Sequence, residues 1–324
     1  MNVLITGSAG YLGQQLVQFL MKRSDHNIIA ADIREASPFA EHERLHYVKL
    51  DVRSEEAKHI FEQHAVDVVV HLASIVTPGL KSNRDFEYSV DVLGTKNILE
   101  ACVSANVRRI IVSSSGAAYG YYPDNAEWLE ESDTIRGNYA FAYSYHKRLV
   151  EEMLAEYRQQ HPELEQIIFR IGTILGENVR NQITNLFEQK YLLGVTGSKS
   201  PFVFIWDQDV VACFAKAIES DVTGIFNLAG DGAVSVDEIG ILLNKTVIKI
   251  PASVIKGSLY VLKRLRLSQY GEEQVDFLRY RPVLSNKKLK EEFQYIPMKT
   301  SLEAFEYYMF NRFRENTVSN VLVK

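Results

Sequence analysis

Residues 3–13, VLITGSAGYLG, combine a short β-branched run, a glycine-rich turn and the start of an amphipathic helix. The run VLIT predicts a strand, and apolar residues at helical spacing predict a helix over residues 11–21. Within the turn, Gly7, Gly10 and Gly13 stand three residues apart. Glycine at such positions permits a tight turn, close approach of a phosphate to the backbone, and close packing of helix on strand. The stretch therefore predicts a strand–turn–helix unit that binds a dinucleotide.

The alternation of strands and helices continues outward from this unit. Further strands are predicted at 27–32, 45–51, 66–74, 108–115 and 165–171, and further helices at 55–64, 84–105 and 143–159. The uninterrupted apolar run inside 66–74 suits a strand that is covered on both faces, as in a parallel sheet. The pattern predicts an α/β fold with a doubly wound parallel sheet and right-handed crossovers.

After residue 172 this rhythm loosens, and we place the domain boundary there. The later predicted elements are strands at 202–205 and 224–228 and helices at 209–219 and 301–314, the last with Thr300 or Ser301 as its N-cap. We expect a cofactor domain over residues 1–172 plus about 201–228. We expect a smaller, discontinuous, helix-rich substrate lobe over about 173–200 plus 229–324.

Composition excludes several classes of protein. The 324 residues are 46% hydrophobic and 24% charged, which is ordinary for a globular chain. The 36 Lys and Arg against 41 Asp and Glu give a net charge of −5, which argues against a general nucleic-acid-binding protein. There is no run of about 18 apolar residues, no basic segment of a signal peptide, and no metal-ligand spacing among the 8 histidines. We expect a cytoplasmic protein that binds a small molecule, with no metal and no nucleic-acid or membrane partner.

The end of the second predicted strand bears on the choice of cofactor. Asp32 stands 19 residues beyond Gly13, where a carboxylate can accept hydrogen bonds from ribose hydroxyls and repel a 2′-phosphate. NAD is therefore the predicted cofactor. Arg34 leaves NADP open, because an arginine at this point could hold the 2′-phosphate.

A tyrosine–lysine pair opens the helix predicted over 143–159. Tyr143 and Lys147 are four residues apart and so share one helix face. A neighbouring ammonium favours the phenolate form of a tyrosine, whose ordinary pKa is about 10. Ser115 ends a predicted strand at the carboxyl edge of the sheet, where ligands bind in such folds. We predict these three residues as catalytic; the alternative is a core tyrosine beside a surface lysine.

At these residues the chain resembles the extended short-chain dehydrogenase/reductase family, in its NAD-dependent epimerase/dehydratase group, over nearly its whole length. It resembles in particular a bacterial subgroup of UDP-glucose 4-epimerase-like proteins. The elements that carry the resemblance are TGSAGYLG (6–13), Asp51-Val52, HLAS (71–74), Ser113 to Gly120, Tyr143-x-x-x-Lys147-x-x-x-Glu151, FIWDQDV (204–210) and GIFNL (224–228).

The resemblance implies a Rossmann-type fold, bound NAD, a small-molecule substrate such as a nucleotide-sugar, and a homodimer formed through the helices at 84–105 and 143–159. It implies proton transfer by Ser115, Tyr143 and Lys147 while NAD takes a hydride from a carbinol. The cofactor-binding residues assigned by motif and resemblance are Gly7, Ala9, Gly10, Tyr11, Leu12, Gly13, Asp32, Ile33, Arg34, Asp51, Val52, Leu72, Ala73, Ser74, Asp91, Ser113, Tyr143, Lys147 and Arg170. The assigned substrate-binding residues are Ser115, Thr173, Asn185, Leu186, Arg279 and Arg281.

Departures from the family pattern keep other functions open. Asp91 replaces an active-site asparagine, and Gly116 and Ala117 replace the acid pair of the dehydratases. Phe202 and Thr173 stand where relatives carry a nucleotide-binding arginine and an asparagine. Besides a nucleotide-sugar epimerase, the sequence therefore allows a dehydrogenase or reductase of a non-nucleotide substrate, and a dinucleotide-binding sensor or scaffold with weak catalysis.

Overall fold

The computed structural model describes residues 1–76, 83–199, 201–265, 271–272 and 274–321, with residues 274 and 313–321 described by their backbone. The strands are β1 (Asn2–Thr6), β2 (Asn27–Asp32), β3 (Leu45–Lys49), β4 (Val68–His71), β5 (Arg109–Ser115), β6 (Glu165–Ile171), β7 (Thr173–Leu175), β8 (Leu192–Val195), β9 (Phe204–Trp206), β10 (Gly224–Leu228) and β11 (Val247–Ile250). The α-helices are α1 (Tyr11–Arg23), α2 (Glu56–Gln63), α3 (Arg84–Tyr88), α4 (Gly94–Ser104), α5 (Ala142–Gln160), α6 (Gln182–Glu188), α7 (Asp207–Glu219), α8 (Val236–Leu242), α9 (Ala252–Arg264), α10 (Gln274–Arg279), α11 (Lys287–Glu291) and α12 (Ser301–Val321).

Within the described ranges, seven parallel strands form the main sheet, in the order β10-β6-β5-β4-β1-β2-β3. The strand order reverses between β1 and β4, and the carboxyl ends of the strands meet at this switch point. The doubly wound parallel sheet is therefore confirmed. The strand expected over 66–74 ends at His71, so that residues 72–76 form a loop beside the switch point.

Two apolar layers cover the two faces of the sheet. Alternate strand residues point to opposite faces, and both sets are buried: Val3 and Ile5 pack in the layer with α1 and α7, and Leu4 packs in the layer with α2, α4 and α5. Burial on both faces explains why the central strands are continuous apolar runs rather than alternating ones.

The helix expected over 84–105 is present but irregular. Residues Ser89–Leu93 between α3 and α4 form a π-helical turn, in which the Gly94 amide donates to the carbonyl of Ser89. Such turns are frequent at functional sites because the extra residue redirects side chains. Here the π-helical turn carries the buried side chain of Asp91.

A second apolar core forms after β6, where the sequence shows no regular alternation. β7 pairs with β9, and β8 with β11, in two small parallel sheets. The strand expected at 202–205 lies instead at 204–206, and it pairs with β7 outside the main sheet. Strands of three and four residues give too short a pattern to predict. The buried members of this core are Leu175, Phe187, Leu192, Phe202, Phe204, Val234, Val236, Ile239, Ala304, Phe305 and Tyr308.

The start of α12 agrees with its sequence signal. The hydroxyl of Thr300 accepts from the Glu303 amide at 3.2 Å, and the Glu303 carboxylate accepts from the Thr300 amide at 2.8 Å. This reciprocal capping box satisfies amides that the first helical turn cannot pair.

The division into two domains remains a prediction.

The β10 edge of the main sheet is covered by side-chain and loop contacts. The backbone amide of Asn227 donates to Glu131 Oε1 at 2.6 Å. Its side-chain amide donates to the carbonyls of Leu129 and Ser285. The outward backbone amide of Asn227 is therefore already hydrogen-bonded within the chain.

Among the helices described here, none is both long enough and apolar enough to cross a membrane.

Candidate active site at the carboxyl edge of the sheet

A cavity of about 610 Å³ opens where β1, β4, β5 and β6 end. This is the switch point at which open α/β sheets bind their ligands. Two parts of its lining differ in chemistry. We call the glycine-rich turn of residues 7–13 the turn wall, and the side chains of Tyr121, Phe141 and Phe277 the aromatic wall.

The turn wall depends on the absence of side chains. Gly7 has a φ of +66°, and a Cβ there would lie 2.9 Å from the backbone nitrogen of Ala73. A Cβ on Gly13 would lie 2.4 Å from the Gly7 carbonyl oxygen, closer than real contacts allow. Gly10 is the N-cap of α1 and brings no capping side chain to its amides. The wall therefore offers a helix N-terminus at a cradle that only glycines form, which fits a pyrophosphate.

Two charged side chains outside the cavity, Asp32 and Arg34, hydrogen-bond to the backbone of the turn wall. Asp32 Oδ2 accepts from the Ala9 amide at 3.0 Å, and the Arg34 guanidinium donates to the Ala9 carbonyl at 3.0 Å. Arg34 is thus turned toward the glycine turn. Tyr11 ties the turn to α7, because its hydroxyl donates to Asp207 Oδ2 at 2.6 Å.

Ser115, Tyr143 and Lys147 all line the cavity. The Lys147 ammonium donates to the Ser113 carbonyl at 2.8 Å and lies 5.6 Å from the centre of the Tyr143 ring. Burial raises the pKa of Tyr143 to about 12, while a hydrogen bond with Ser115 lowers it. Burial lowers the pKa of Lys147, and the charges of Asp91 and Glu151 raise it. The structure thus brings together a phenol, a hydroxyl and an amine that can move a proton at one point.

Arg170 lies behind the site rather than in the cavity lining. Its guanidinium donates to both carboxylate oxygens of Glu151, at 2.7 Å in the closest pair, and to the Tyr119 hydroxyl at 2.8 Å. Ser114 completes this buried group with a hydrogen bond to Glu151. The pair fixes α5, which carries Tyr143, to β6.

Asp91 is likewise buried behind the lining. It accepts hydrogen bonds from the Ser74 hydroxyl at 3.0 Å and the Ile75 amide at 2.8 Å. Ser74 belongs to the cavity lining. Asp91 therefore holds the loop after β4 against the site.

The other residues assigned from sequence divide into two groups. Those that line the cavity are Gly7, Gly10, Tyr11, Leu12, Gly13, Leu72, Ser74, Ser113, Ser115, Tyr143, Lys147 and Thr173. Those that the structure places outside this lining are Ala9, Asp32, Ile33, Arg34, Asp51, Val52, Ala73, Asp91, Arg170, Asn185, Leu186, Arg279 and Arg281. Their assigned roles stay predictions.

Several of the residues outside the lining have other contacts. Asp51 pairs with Arg53, and the hydrogen bond from that guanidinium lowers the pKa of the Asp51 carboxyl. Asn185 is exposed on α6, while Leu186 packs against the second core. The guanidinium of Arg281 lies 3.8 Å from the centre of the Phe202 ring.

Sequence reasoning missed the aromatic wall and a polar segment of the lining. The ring centres of Tyr121 and Phe277 are 4.9 Å apart, and those of Phe141 and Phe277 are 5.4 Å apart. Asn178, Arg180 and Asn181 line the cavity just before α6, as does Gln182, the first residue of α6. These residues lie in loops and short helices that share no spacing, so no periodic signal marks them.

In the part of the chain that the structure describes, no group of three or more His, Cys, Asp or Glu side chains is placed to hold a metal ion.

Known proteins resemble this chain along most of its length. A model of the NAD dependent epimerase/dehydratase family matches residues 3–229. An uncharacterized protein of Mycobacterium tuberculosis is 22% identical over 318 residues, which is 96% of this chain and 84% of the relative. The UDP-glucose 4-epimerase of Erwinia amylovora is 29% identical over 192 residues, which is 56% of either chain.

Solved structures share the fold. The UDP-glucose 4-epimerase of Thermotoga maritima, solved with UDP-glucose, superposes with a TM-score of 0.74 at 18% identity, over 98% of this chain and 100% of that one. MoeE5, solved with UDP-glucuronic acid and NAD, superposes with a TM-score of 0.74 at 20% identity, over 97% of this chain and 100% of that one. The family match covers more than half of the chain, and the protein therefore belongs to the NAD-dependent epimerase/dehydratase family.

Proposed function

We propose that the protein is an NAD-dependent, epimerase-type oxidoreductase that acts at a carbinol carbon of a nucleotide-sugar through Ser115, Tyr143 and Lys147. The observation that carries this proposal is the placing of these three side chains and the glycine turn in the lining of one cavity. The turn follows β1, Ser115 ends β5, and Tyr143 and Lys147 lie on α5, so the fold brings together residues that are far apart in sequence.

The turn wall fits NAD. Gly7, Gly10 and Gly13 leave room for a pyrophosphate at the start of α1. Asp32 stands at the end of β2, the position from which a carboxylate accepts hydrogen bonds from the ribose hydroxyls in such folds. Arg34 donates to the Ala9 carbonyl and lies 3.9 Å from Asp32, whose carboxylate would repel a 2′-phosphate, so this end of the turn favours NAD over NADP. Bound NAD supplies hydride acceptance and return at the substrate carbon.

The side chains of the site move the proton. Tyr143 in its phenolate form accepts the hydroxyl proton of the substrate. Burial opposes that form by raising the pKa of Tyr143, whereas the hydrogen bond with Ser115 and the Lys147 ammonium favour it. The Ser115 hydroxyl donates a hydrogen bond to the substrate oxygen and holds it in line with Tyr143. Return of the proton from Tyr143 completes an epimerisation with no net gain or loss of protons.

A nucleotide-sugar is favoured by the polar part of the lining and by the family. Arg180 brings a positive charge to the cavity, and Asn178, Asn181 and Gln182 bring amide groups. With a net charge of −5 the chain offers no general positive field, so a diphosphate depends on local groups such as these. The epimerase of Thermotoga maritima was solved with UDP-glucose, and MoeE5 with UDP-glucuronic acid.

The proposal is tested by incubating the purified protein and NAD with UDP-glucose, UDP-glucuronic acid or UDP-N-acetylglucosamine and separating the products by chromatography. We expect the 4-epimer of one of them, and a loss of about 10²-fold or more in kcat for Tyr143→Phe in a variant that still folds and binds NADH. Unchanged turnover in Tyr143→Phe would show that the proton-transfer assignment is wrong.

A dehydrogenase or reductase of an apolar carbonyl compound is the second candidate, and the aromatic wall favours it. Tyr121, Phe141 and Phe277 form a continuous ring cluster in the lining. Such a wall stacks well on a flat apolar group. Stoichiometric consumption of NADH with acetophenone, and none of the nucleotide-sugars turned over, would select this candidate. NADH binding without turnover of either kind of substrate would select the sensor.

The homodimer through α3–α4 and α5, and the cytoplasmic location, stay predictions. Light scattering of the purified protein tests the first, since a dimer has twice the 36.9 kDa mass of the chain.

A further inference from the structure

A buried acid–imidazole pair lies next to the tyrosine–lysine couple. Asp91 is 3% exposed and His146 is 1% exposed, and Asp91 Oδ2 lies 3.1 Å from His146 Nδ1. Asp91 comes from the π-helical turn 89–93, whereas His146 comes from α5, directly before Lys147. The pair therefore joins two neighbouring elements of the same helical layer behind the cavity.

Every described partner of the Asp91 side chain fits a carboxylate. The Ile75 amide can only donate, and the Ser74 hydroxyl and His146 Nδ1 can both donate. An ionised carboxylate accepts all three bonds at once, whereas a protonated one would have to donate one of them. The negative charge of Asp91 is thus held in place on both oxygens.

The imidazole of His146 is neutral in this arrangement and therefore does not cancel the negative charge of Asp91. Its Nε2 is buried and has no hydrogen-bond partner among the residues that the structure describes. When Nδ1 carries the hydrogen and donates to Asp91, Nε2 is a bare lone pair. A second proton would bury an N–H with no acceptor, at a cost of about 1–3 kcal/mol. The neutral tautomer fits this environment, and the pair then carries one negative charge.

The charged and titratable groups around this pair come from several elements. Lys147 and Glu151 lie on α5, His71 on β4, and Tyr88 on α3, with its ring 5.7 Å from that of His146. Glu151 is already paired with Arg170 of β6 at 2.7 Å. Among the described residues, Asp91 has no ion-pair partner other than the imidazole of His146.

The charge of Asp91 acts on three groups: Lys147, Tyr143 and His71. It raises the pKa of Lys147 against the burial that lowers it, and it also raises the pKa of Tyr143. The pKa of the third, His71, is lowered to about 3, mainly by burial, so that His71 is neutral near pH 7.

We propose that the Asp91–His146 pair is the counter-ion of Lys147, a positioning unit that keeps Lys147 an ammonium ion beside Tyr143 and sets the pH range of the site. The assignment of a role in turnover rests on the function proposed above. In this role Asp91 acts through Lys147, which differs from the cofactor contact that the family resemblance implies for it.

The test is Asp91→Asn, which keeps an oxygen acceptor for Ser74 and Ile75 but removes the charge. With ¹³C-labelled lysine, the Nζ titration of Lys147 is followed by NMR at the Cε signal that is missing from Lys147→Met. We expect the Lys147 titration midpoint to move to lower pH in Asp91→Asn. An unchanged midpoint in a folded variant overturns the proposal.

Asp209→Asn is the matched control. Asp209 is fully buried and accepts hydrogen bonds from the Tyr295 hydroxyl at 2.7 Å and the Met298 amide at 2.8 Å, on α7. It loses the same charge away from Lys147, so it should leave the Lys147 midpoint in place. An equal shift in both variants would indicate general loosening and would also overturn the proposal.

A measurement on the unmodified chain covers the case in which Asp91→Asn does not fold. The ¹⁵N spectrum of the histidines, with His146 assigned by His146→Gln, distinguishes a neutral Nδ1–H ring from an imidazolium. We expect the neutral Nδ1–H form at pH 7. An imidazolium would cancel the charge of Asp91 and overturn the proposal.

Turnover provides a third reading once a substrate is known. Because the charge of Asp91 raises the pKa of both Lys147 and Tyr143, both limbs of the pH–rate profile should move to lower pH in Asp91→Asn. A lower kcat with an unmoved profile indicates a purely structural role. Full activity of Tyr143→Phe would instead refute the proposed function, while the NMR result for Lys147 would stand by itself.

Discussion

The turn wall and the aromatic wall face the same cavity but are built on different principles. The turn wall presents backbone, and its geometry depends on glycines whose Cβ atoms would collide with Gly7 or Ala73. The aromatic wall presents side chains from three separate stretches of the chain, in ring contact with one another. A backbone wall can recognise a group common to all dinucleotides, whereas a side-chain wall can change with the substrate and leave the fold intact. The turn wall therefore suits the cofactor that the family shares, and the aromatic wall suits the substrate of this particular member.

The largest expected effect comes from the buried ion pair behind both walls, which joins α5 to β6. Glu151→Ala leaves the Arg170 guanidinium buried without its partner, so the free energy of unfolding should fall by about 3–5 kcal/mol. Urea denaturation followed by circular dichroism measures the change. Glu188→Ala breaks the more exposed pair with Arg312 and should cost less than about 1 kcal/mol. Equal losses in the two variants would contradict the special position of Glu151.

Gly13→Ala should damage the turn wall alone. Its Cβ would meet the Gly7 carbonyl oxygen at 2.4 Å, and relieving such overpacking costs about 1–3 kcal/mol, or about 5- to 150-fold in NADH affinity. A titration of NADH fluorescence measures the affinity. Gly257→Ala on α9, where a Cβ meets nothing within 4 Å, is the control and should bind NADH normally. Tight NADH binding by Gly13→Ala would remove the turn from the cofactor site.

Acid should loosen the turn wall through His71, which hydrogen-bonds with Thr6 just before the turn. Burial lowers the pKa of His71 to about 3 in the folded protein, against 6.5 ordinarily. Between these values the unfolded state binds the extra proton, so this stabilisation is complete above about pH 6.5 and falls by about 1.4 kcal/mol per pH unit below it.

Urea midpoints at pH 7 and pH 5 measure this effect. His71→Gln should show a smaller difference between the two pH values than the unmodified chain. His59→Gln, at an exposed position, should show the full difference. If all three chains respond alike to acid, His71 is not the responsible group.

The smallest effect should be confined to the aromatic wall. Phe277→Leu removes ring contacts with Tyr121 and Phe141 that are worth about 1 kcal/mol. We expect about a fivefold rise in KM for the carbonyl or carbinol substrate, measured by initial rates, and an unchanged NADH affinity as the internal control. A change in NADH affinity as large as that in KM would mean that the two walls do not act separately.

The sequence predicts the turn wall well because its physics is local. The spacing of Gly7, Gly10 and Gly13, the strand before them and the helix after them are all contained in one short stretch. Ser115 and Tyr143 were also predictable, since strand ends and the i,i+4 rule place them on one edge and one face. These parts of the site need only the strand order, which the regular alternation implies.

The remaining parts depend on contacts between distant segments. Nothing near Phe277 indicates that it meets Tyr121, and the role of Arg170 in a buried pair with Glu151 depends on how α5 packs on β6. From the sequence, the π-helical turn that carries Asp91 is predicted as ordinary α-helix, because its apolar residues continue the helical spacing of the residues around it. The pairing of the strand at 204–206 with β7, outside the main sheet, was also not predictable. Its partner β7 has only three residues, too few to give a periodic pattern.

The carboxylate of Glu131 at the sheet edge has a consequence for how this protein behaves in concentrated solution. An outer strand with free amides is a template on which another chain can add a strand and begin to aggregate. At β10 the amide of Asn227 is already taken by Glu131. A second molecule must displace that charged group before it can extend the sheet there. The Glu131 side chain thus opposes the addition of a strand from a second molecule at this edge of the sheet.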